Sequence, residues 1–139
     1  MKQEYYQAHP SDVQKHWELF GGLILKAMTK TQQEDYSLEG CYNRLVTNQW
    51  QLFVILKDGE LESIFVTCVI PFDLCCYLNP MFIAGFNNNK IDLNFMQECI
   101  EEVATKFNCN KIMGGGRKGW LRALSKFGYK DLQLVVKTL

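Results

Sequence analysis

Apolar positions in this chain recur at helical spacing near the start and past the middle, with continuous or alternating runs between. Val13, Trp17, Phe20, Ile24 and Ala27 step by four and three residues, which lines them up on one stripe of a helix. Pro10 and Ser11 read as its start, with Asp12 in the first turn, where a negative charge meets unpaired N–H groups. Gly21-Gly22 in its middle weakens the helix and marks close packing or a bend. A shorter helix is predicted from Ser37, with Leu38, Cys41 and Leu45 inward.

Trp50 to Leu56 is a continuous apolar strand, and Leu61 to Pro71 returns from it with Ile64, Val66, Cys68 and Ile70 on one face. Lys57-Asp58-Gly59-Glu60 between them is a hairpin turn, because Asp-Gly tolerates the positive φ that a tight turn demands. A third strand spans roughly Leu74 to Phe86 and contains Asn79-Pro80. Proline has no N–H for a ladder, so this strand is expected to be bulged or broken there.

Asn87 to Lys90 is a polar loop, and Asp92 is placed to cap the next helix. Leu93, Met96, Ile100, Val103 and Phe107 form its inner stripe, with Glu98, Glu101 and Glu102 outside. A short strand follows from Lys111 to Gly114, then Gly115-Gly116-Arg117-Lys118-Gly119, a last helix from Trp120 to Phe127, and Gly128 as its C-terminal cap. Tyr129 to Leu139 is expected to be the closing strand. A strand reached through a crossover helix runs parallel to its predecessor. The expected fold is therefore one α/β domain over residues 1–139, a mixed, mostly antiparallel sheet flanked by helices on both faces.

Composition narrows the function. The chain has 139 residues, 47% apolar and 22% charged, and no run approaches the ~18 apolar residues of a membrane span. Met1 to Tyr6 is polar and carries Glu4, unlike a signal peptide, so a cytosolic protein is expected. Of six cysteines, Cys68 lies within IFVTCVI and Cys75-Cys76 within LCCYL, where a thiol acts as a small hydrophobe. There is no CxxC pair, and His9 and His16 lie far from any cysteine, so neither a zinc site nor Cys-His catalysis is expected.

The net charge is zero, but it is unevenly spread. From Lys106 onward eight basic residues face one acid, Asp131, for a net +7, while the preceding residues carry seven basic and fourteen acidic side chains, for a net −7. Either the C-terminal third faces an anion or an acidic partner, or the two regions neutralise each other in the fold. Gly115, Gly116, Arg117, Lys118 and Arg122 are the candidate anion or partner contacts: glycines expose N–H groups, and cations precede a helix. The same run also reads as a tight strand-to-helix turn with solvated cations, and it lacks the order of a P-loop. Trp120 reads more simply as a packing anchor than as a stacking platform. Nucleic acid could meet the basic third near Trp120, Phe127 and Tyr129, but the protein as a whole is neutral and no nucleic-acid motif occurs.

The run GGGRKGWLRALSKFGYK, Gly114 to Lys130, resembles the G-R-x-G-W-x-R-x-L-x-x-x-G-F/Y ending of small GNAT-like proteins (acyl-CoA N-acyltransferase fold) of tailed phages. Gly116, Arg117, Gly119, Trp120, Arg122, Leu124, Gly128 and Tyr129 occupy its patterned positions. The Trp-Gln-Leu-Phe-Val strand, the Asp-Gly hairpin and the Phe-Ile-Ala-Gly strand fit the same family. The resemblance implies a bulge at Pro80 that splays two strands around a pantetheine slot. It also implies a glycine-containing cradle for the acyl-CoA pyrophosphate, which falls on Phe86 to Asp92, with Asn88, Asn89 and Lys90 as the candidate cofactor-binding residues.

That stretch has no glycine, and Asp92 sets a negative charge near the phosphates that Lys90 offsets only in part. Where many members carry a tyrosine acid, this chain has Leu124, which has no proton to give. The expectation is a phage-type GNAT-like protein with no cofactor, no catalytic residue and no metal. It would work through contacts with other phage or host proteins in virion assembly or as an internal virion component, in the host cytoplasm or in the virion. The alternative is an active acyl-CoA N-acyltransferase using acetyl-CoA through a divergent pyrophosphate loop. A third reading is a phage protein that binds a host or defence factor.

Overall fold

The computed structural model describes residues 1–31, 34–114, 118–132 and 135–139, and of residues 118–121 the backbone only. The elements run β1 (Gln3–Gln7), α1 (Pro10–Lys15), α2 (Trp17–Thr31), α3 (Leu38–Val46), β2 (Trp50–Lys57), β3 (Glu60–Pro71), β4 (Cys76–Gly85), a 3-10 turn (Phe86–Asn88), α4 (Leu93–Lys106), β5 (Lys111–Ile112) and α5 (Lys118–Ser125). The strands lie in the order β1-β2-β3-β4-β5. The first four are antiparallel, and β5 joins β4 in parallel after the α4 crossover.

Both sheet faces are covered, and this explains why β2 is apolar without a break. Trp50, Leu52 and Val54 point to the layer built from Phe20, Ile24 and Leu45 of α2 and α3. Phe53 and Ile55 point to the opposite layer, where Met96, Ile100 and Val103 of α4 close over them. A strand buried on both sides needs hydrophobes at successive positions, whereas a half-solvated one alternates.

The helical stripes, the caps and the hairpin follow the sequence. The Ser37 hydroxyl accepts from the Gly40 N–H at 2.9 Å, and an Asp92 carboxylate oxygen accepts from the Phe95 N–H at 3.1 Å. Asp58 and Gly59 take φ of 51° and 82° in the turn, and Gly128 has φ 91° after α5. At Pro80 the register slips: Val66 faces Phe82 while Thr67 faces Pro80, which leaves Met81 as the extra residue of a bulge.

Several expectations need correction. The polar N-terminus is not a mere lead-in. Gln3–Gln7 pairs along β2 as an edge strand, which a half-exposed polar sequence can do because only its backbone has to bond. The first helix breaks at His16 (φ −110°, ψ 29°), not at the glycines, and its N-cap is His9, whose Nδ1 accepts from the Ser11 N–H at 3.1 Å. Of the two readings of the glycines, close packing is the one seen: a Cβ at Gly21 would sit 2.9 Å from the Trp17 ring. β4 begins at Cys76, two residues later than expected, β5 stops at Ile112, and α5 runs from Lys118 to Ser125, two residues earlier at each end. No closing strand forms among the described residues of 129–139, and Leu132, Val135 and Val136 are exposed. Among the described residues no helix is long and apolar enough to cross a membrane.

Candidate functional site

A groove follows β4 from its C-terminal end back to the bulge. It consists of two adjoining cavities, of about 150 Å³ and 60 Å³, that share Ala27 and Thr31 of α2 and Ile83 of β4. The small side chain of Ala27 keeps α2 from filling the space, and β4 forms the floor.

The larger cavity is cationic. Lys26 and Lys30 project into it one helical turn apart, opposite Gly85, Asn88 and Asn89. The Lys26 ammonium donates to the Gly85 carbonyl at 3.3 Å and to Asn88 Oδ1 at 3.1 Å. The turn that receives it is unusual in backbone: Asn87 and Asn88 are both left-handed, at φ 52° and 58°. The Asn89 N–H then returns to the Phe86 carbonyl at 2.9 Å. Asparagine enters this region more cheaply than other non-glycine residues, because its short polar side chain bonds locally. The missing glycine is therefore no obstacle to a tight turn here.

The turn is also closed by Gly85. Any Cβ at Gly85 would lie 2.5 Å from the Asn89 carbonyl oxygen. Asp92 ends the turn as the α4 cap. Its carboxylate takes the Phe95 N–H and, at 3.1 Å, the side-chain amide of Gln3, and these two donors hold it below the ordinary value of 3.8. The carboxylate is thus committed to capping α4 and to β1, and Asp92 is not among the residues that line the cationic cavity.

The smaller cavity lies at the fork of the sheet. Pairing between β4 and β5 ends at Leu78 with Ile112, and the Met113 N–H reaches the Leu78 carbonyl at 3.0 Å. Beyond it the space between Pro80, Met81 and Gly114 is open, flanked by Leu124 of α5 and by Tyr129. The Tyr129 hydroxyl donates to the buried Gln97 Oε1 at 3.0 Å. Burial pushes the Tyr129 phenol above its ordinary 10, so at neutral pH it keeps its proton. Leu124 is apolar and half-buried at the same opening.

Of the sequence candidates, Asn88 and Asn89 line the cationic cavity, while Lys90 is exposed and not among the residues that line it. The cations come from α2 instead. That role had no local signal in the sequence, because Lys26 and Lys30 read as the solvent side of an amphipathic helix. Gly115, Gly116 and Arg117 lie outside the described residues, as do the side chains of Lys118 and Trp120. Arg122 is exposed on α5, its carbonyl accepting from the Ser125 hydroxyl at 2.9 Å.

The thiols carry no activated nucleophile at this site. Cys41 and Cys68 are raised by burial. Burial, and then the charges of Glu102 and Glu98, push Cys99 up to about 12. No group of three or more His, Cys, Asp or Glu side chains able to hold a metal ion occurs among the described residues.

Neither a family model nor a curated protein sequence matches the chain. Solved structures do. A predicted acetyltransferase with acetyl-CoA from Clostridium acetobutylicum superposes with a TM-score of 0.74 at 12% identity, over 99% of this chain and 96% of that one. A ribosomal-protein-alanine N-acetyltransferase from Brucella melitensis gives 0.70 at 11% identity, over 99% and 98%. An aminoglycoside N-acetyltransferase in complex with CoA gives 0.71 at 10% identity, over 99% and 94%. At such identities the likeness concerns the backbone: the chain has the GNAT fold.

Proposed function

We propose that this protein binds an acyl-coenzyme A along β4 and transfers its acyl group to an amine. The groove carries this reading, because it is cationic at one end and opens on an apolar fork at the other. The residues suit such a group: Lys26 and Lys30 oppose phosphate charge, and the left-handed pair Asn87-Asn88 takes the place of glycine in the turn. Lys26, Lys30 and the Asn88-Asn89 turn would hold the diphosphate, and Pro80, Met81 and Phe82 would flank the pantetheine arm. Bound acyl-CoA supplies the activated acyl group.

The chain's own residues then have defined tasks. Leu124 keeps water from one side of the fork. Tyr129, protonated and anchored by Gln97, would supply the proton at the fork. Asp92 holds α4 in place through its cap and ties it to β1 through Gln3.

Two observations favour a second reading, a phage-type GNAT-like protein without catalysis that works through contacts with phage or host proteins. Leu124 stands where the resemblance implies a tyrosine acid, and the stretch from Phe86 to Asp92 has no glycine and ends in a carboxylate.

A thermal titration with acetyl-CoA separates the two. A ligand at roughly a hundred times its Kd stabilises the native state by ~2.7 kcal/mol. A rise in Tm that is abolished in a Lys26→Ala, Lys30→Ala double variant supports acyl-CoA binding, and turnover of acetyl-CoA with a panel of amines supports transfer. An unchanged Tm at millimolar acetyl-CoA rejects both and leaves the contact role.

A further inference from the structure

At the other end of the fork two thiols face each other. Cys76, the first residue of β4, and Cys109, in the link between α4 and β5, are 33 positions apart in sequence, and their Sγ atoms are 2.9 Å apart. Both pack on the α4 side of the sheet. Cys109 is buried, with its Sγ 3.8 Å from the Phe107 carbonyl, while Cys76 is only partly covered. Cys75 is also partly covered, but it precedes the strand, where successive side chains take opposite faces. Immediately beyond this pair lies the whole of β5, held by the two residue pairs Tyr77 with Lys111 and Leu78 with Ile112.

We propose that Cys76 and Cys109 form a reversible oxidation site, a disulfide that locks the base of the β4–β5 fork. The oxidant is a small disulfide such as oxidised glutathione. Cys76, the more accessible thiol, displaces one glutathione thiol and becomes a mixed disulfide. The Cys109 sulfur attacks Cys76 Sγ, losing its proton as the second glutathione leaves as thiol. One glutathione disulfide becomes two glutathione thiols, and two protein thiols become one disulfide. Burial, and then the neighbouring Cys76, hold Cys109 up to about 12, which makes it the second and not the first thiol to react. The bond would fix the angle at which the strands part, and with it the width of the cavity between Pro80 and Gly114. The site stands apart from the proposed acyl transfer and survives its failure.

The full chain, incubated with oxidised glutathione and blocked with an alkylating agent, is digested without reduction and mapped by mass spectrometry. A peptide pair joined through Cys76 and Cys109, lighter by two hydrogens and released by a reductant, is the expected product. Its formation should raise Tm by roughly 10 °C, since the cross-link closes a loop of moderate length. Cys76→Ser should abolish both the cross-link and the shift, and Cys75→Ser should change neither. A stable glutathione adduct on Cys76 in the wild-type chain, or a bond that maps to Cys75 or Cys99, would overturn the assignment. The wild-type map decides even if Cys76→Ser does not fold.

Discussion

Lys26 on α2 and Asn88 in the turn after β4 stand 62 residues apart in sequence and are joined by one hydrogen bond, Nζ to Oδ1 at 3.1 Å. The same ammonium reaches the Gly85 carbonyl at 3.3 Å. One cation thus ties the helix wall of the groove to its floor and orients a left-handed asparagine. With Lys30 beside it, the ammonium gives this end of the groove its positive charge.

Removing that contact separates binding from folding. Lys26→Ala should lower acetyl-CoA affinity by about tenfold, equivalent to ~1.4 kcal/mol. Its effect on stability should stay near half a kcal/mol, because the ammonium is partly solvated. Isothermal titration and urea denaturation of the same variant check the two halves.

Gly85→Ala tests the turn itself. Its φ of −87° suits any residue, so the obstacle is space: the new Cβ would lie 2.5 Å from the Asn89 carbonyl oxygen. Backbone must move to relieve it, at a cost of about 1–3 kcal/mol. A lower urea midpoint together with weakened acetyl-CoA binding is expected, and an unaltered variant would mean that the turn is not packed as described.

Asp92 predicts a pH dependence. Its folded-state pKa is depressed by the Phe95 N–H and then by the Gln3 amide, so its stabilisation is complete above the ordinary 3.8 and disappears as the pH falls through the folded value. Asp92→Ala should cost ~1 kcal/mol at neutral pH, the usual worth of an N-cap. That difference should shrink in acid below about 3.8, and urea titrations at neutral and acid pH measure it. Asp92→Asn keeps a cap oxygen and removes the charge, so it should retain most of the stability and, if the carboxylate repels phosphate, tighten acetyl-CoA.

Tyr129→Phe removes a single hydroxyl. The buried Gln97 carbonyl then loses its donor, at a cost of about 1 kcal/mol. In the wild type the raised phenol pKa gives stability that is present below 10 and lost as the pH rises through the folded value, and the variant should lose less in that range. Under the acyl-transfer reading, kcat falls while acetyl-CoA binding holds. Equal loss of both would assign Tyr129 to packing alone.

The local rules of the chain were legible without coordinates. Three-four spacing placed the faces of α2, α3 and α4, and the Asp58-Gly59 dipeptide placed the hairpin. Asp92 announced its cap, and Pro80 announced a bulge that falls on Met81. Each of these depends on neighbours within a turn or a ladder step. β1 escaped notice because an edge strand needs only backbone partners, and Gln3–Gln7 has the exposed, polar look of a tail.

The site divides in the same way. The sequence by itself determined that Asn88 and Asn89 follow the strand that ends near Phe86, that Asp92 caps the helix after them, and that position 124 holds leucine. Only the tertiary structure decided that Lys26 and Lys30 face that turn, that Tyr129 reaches Gln97 at the fork, and that Cys76 meets Cys109. These pairs are joined across the sheet by packing, and a helix writes the same amphipathic pattern whether its polar edge meets water or a groove.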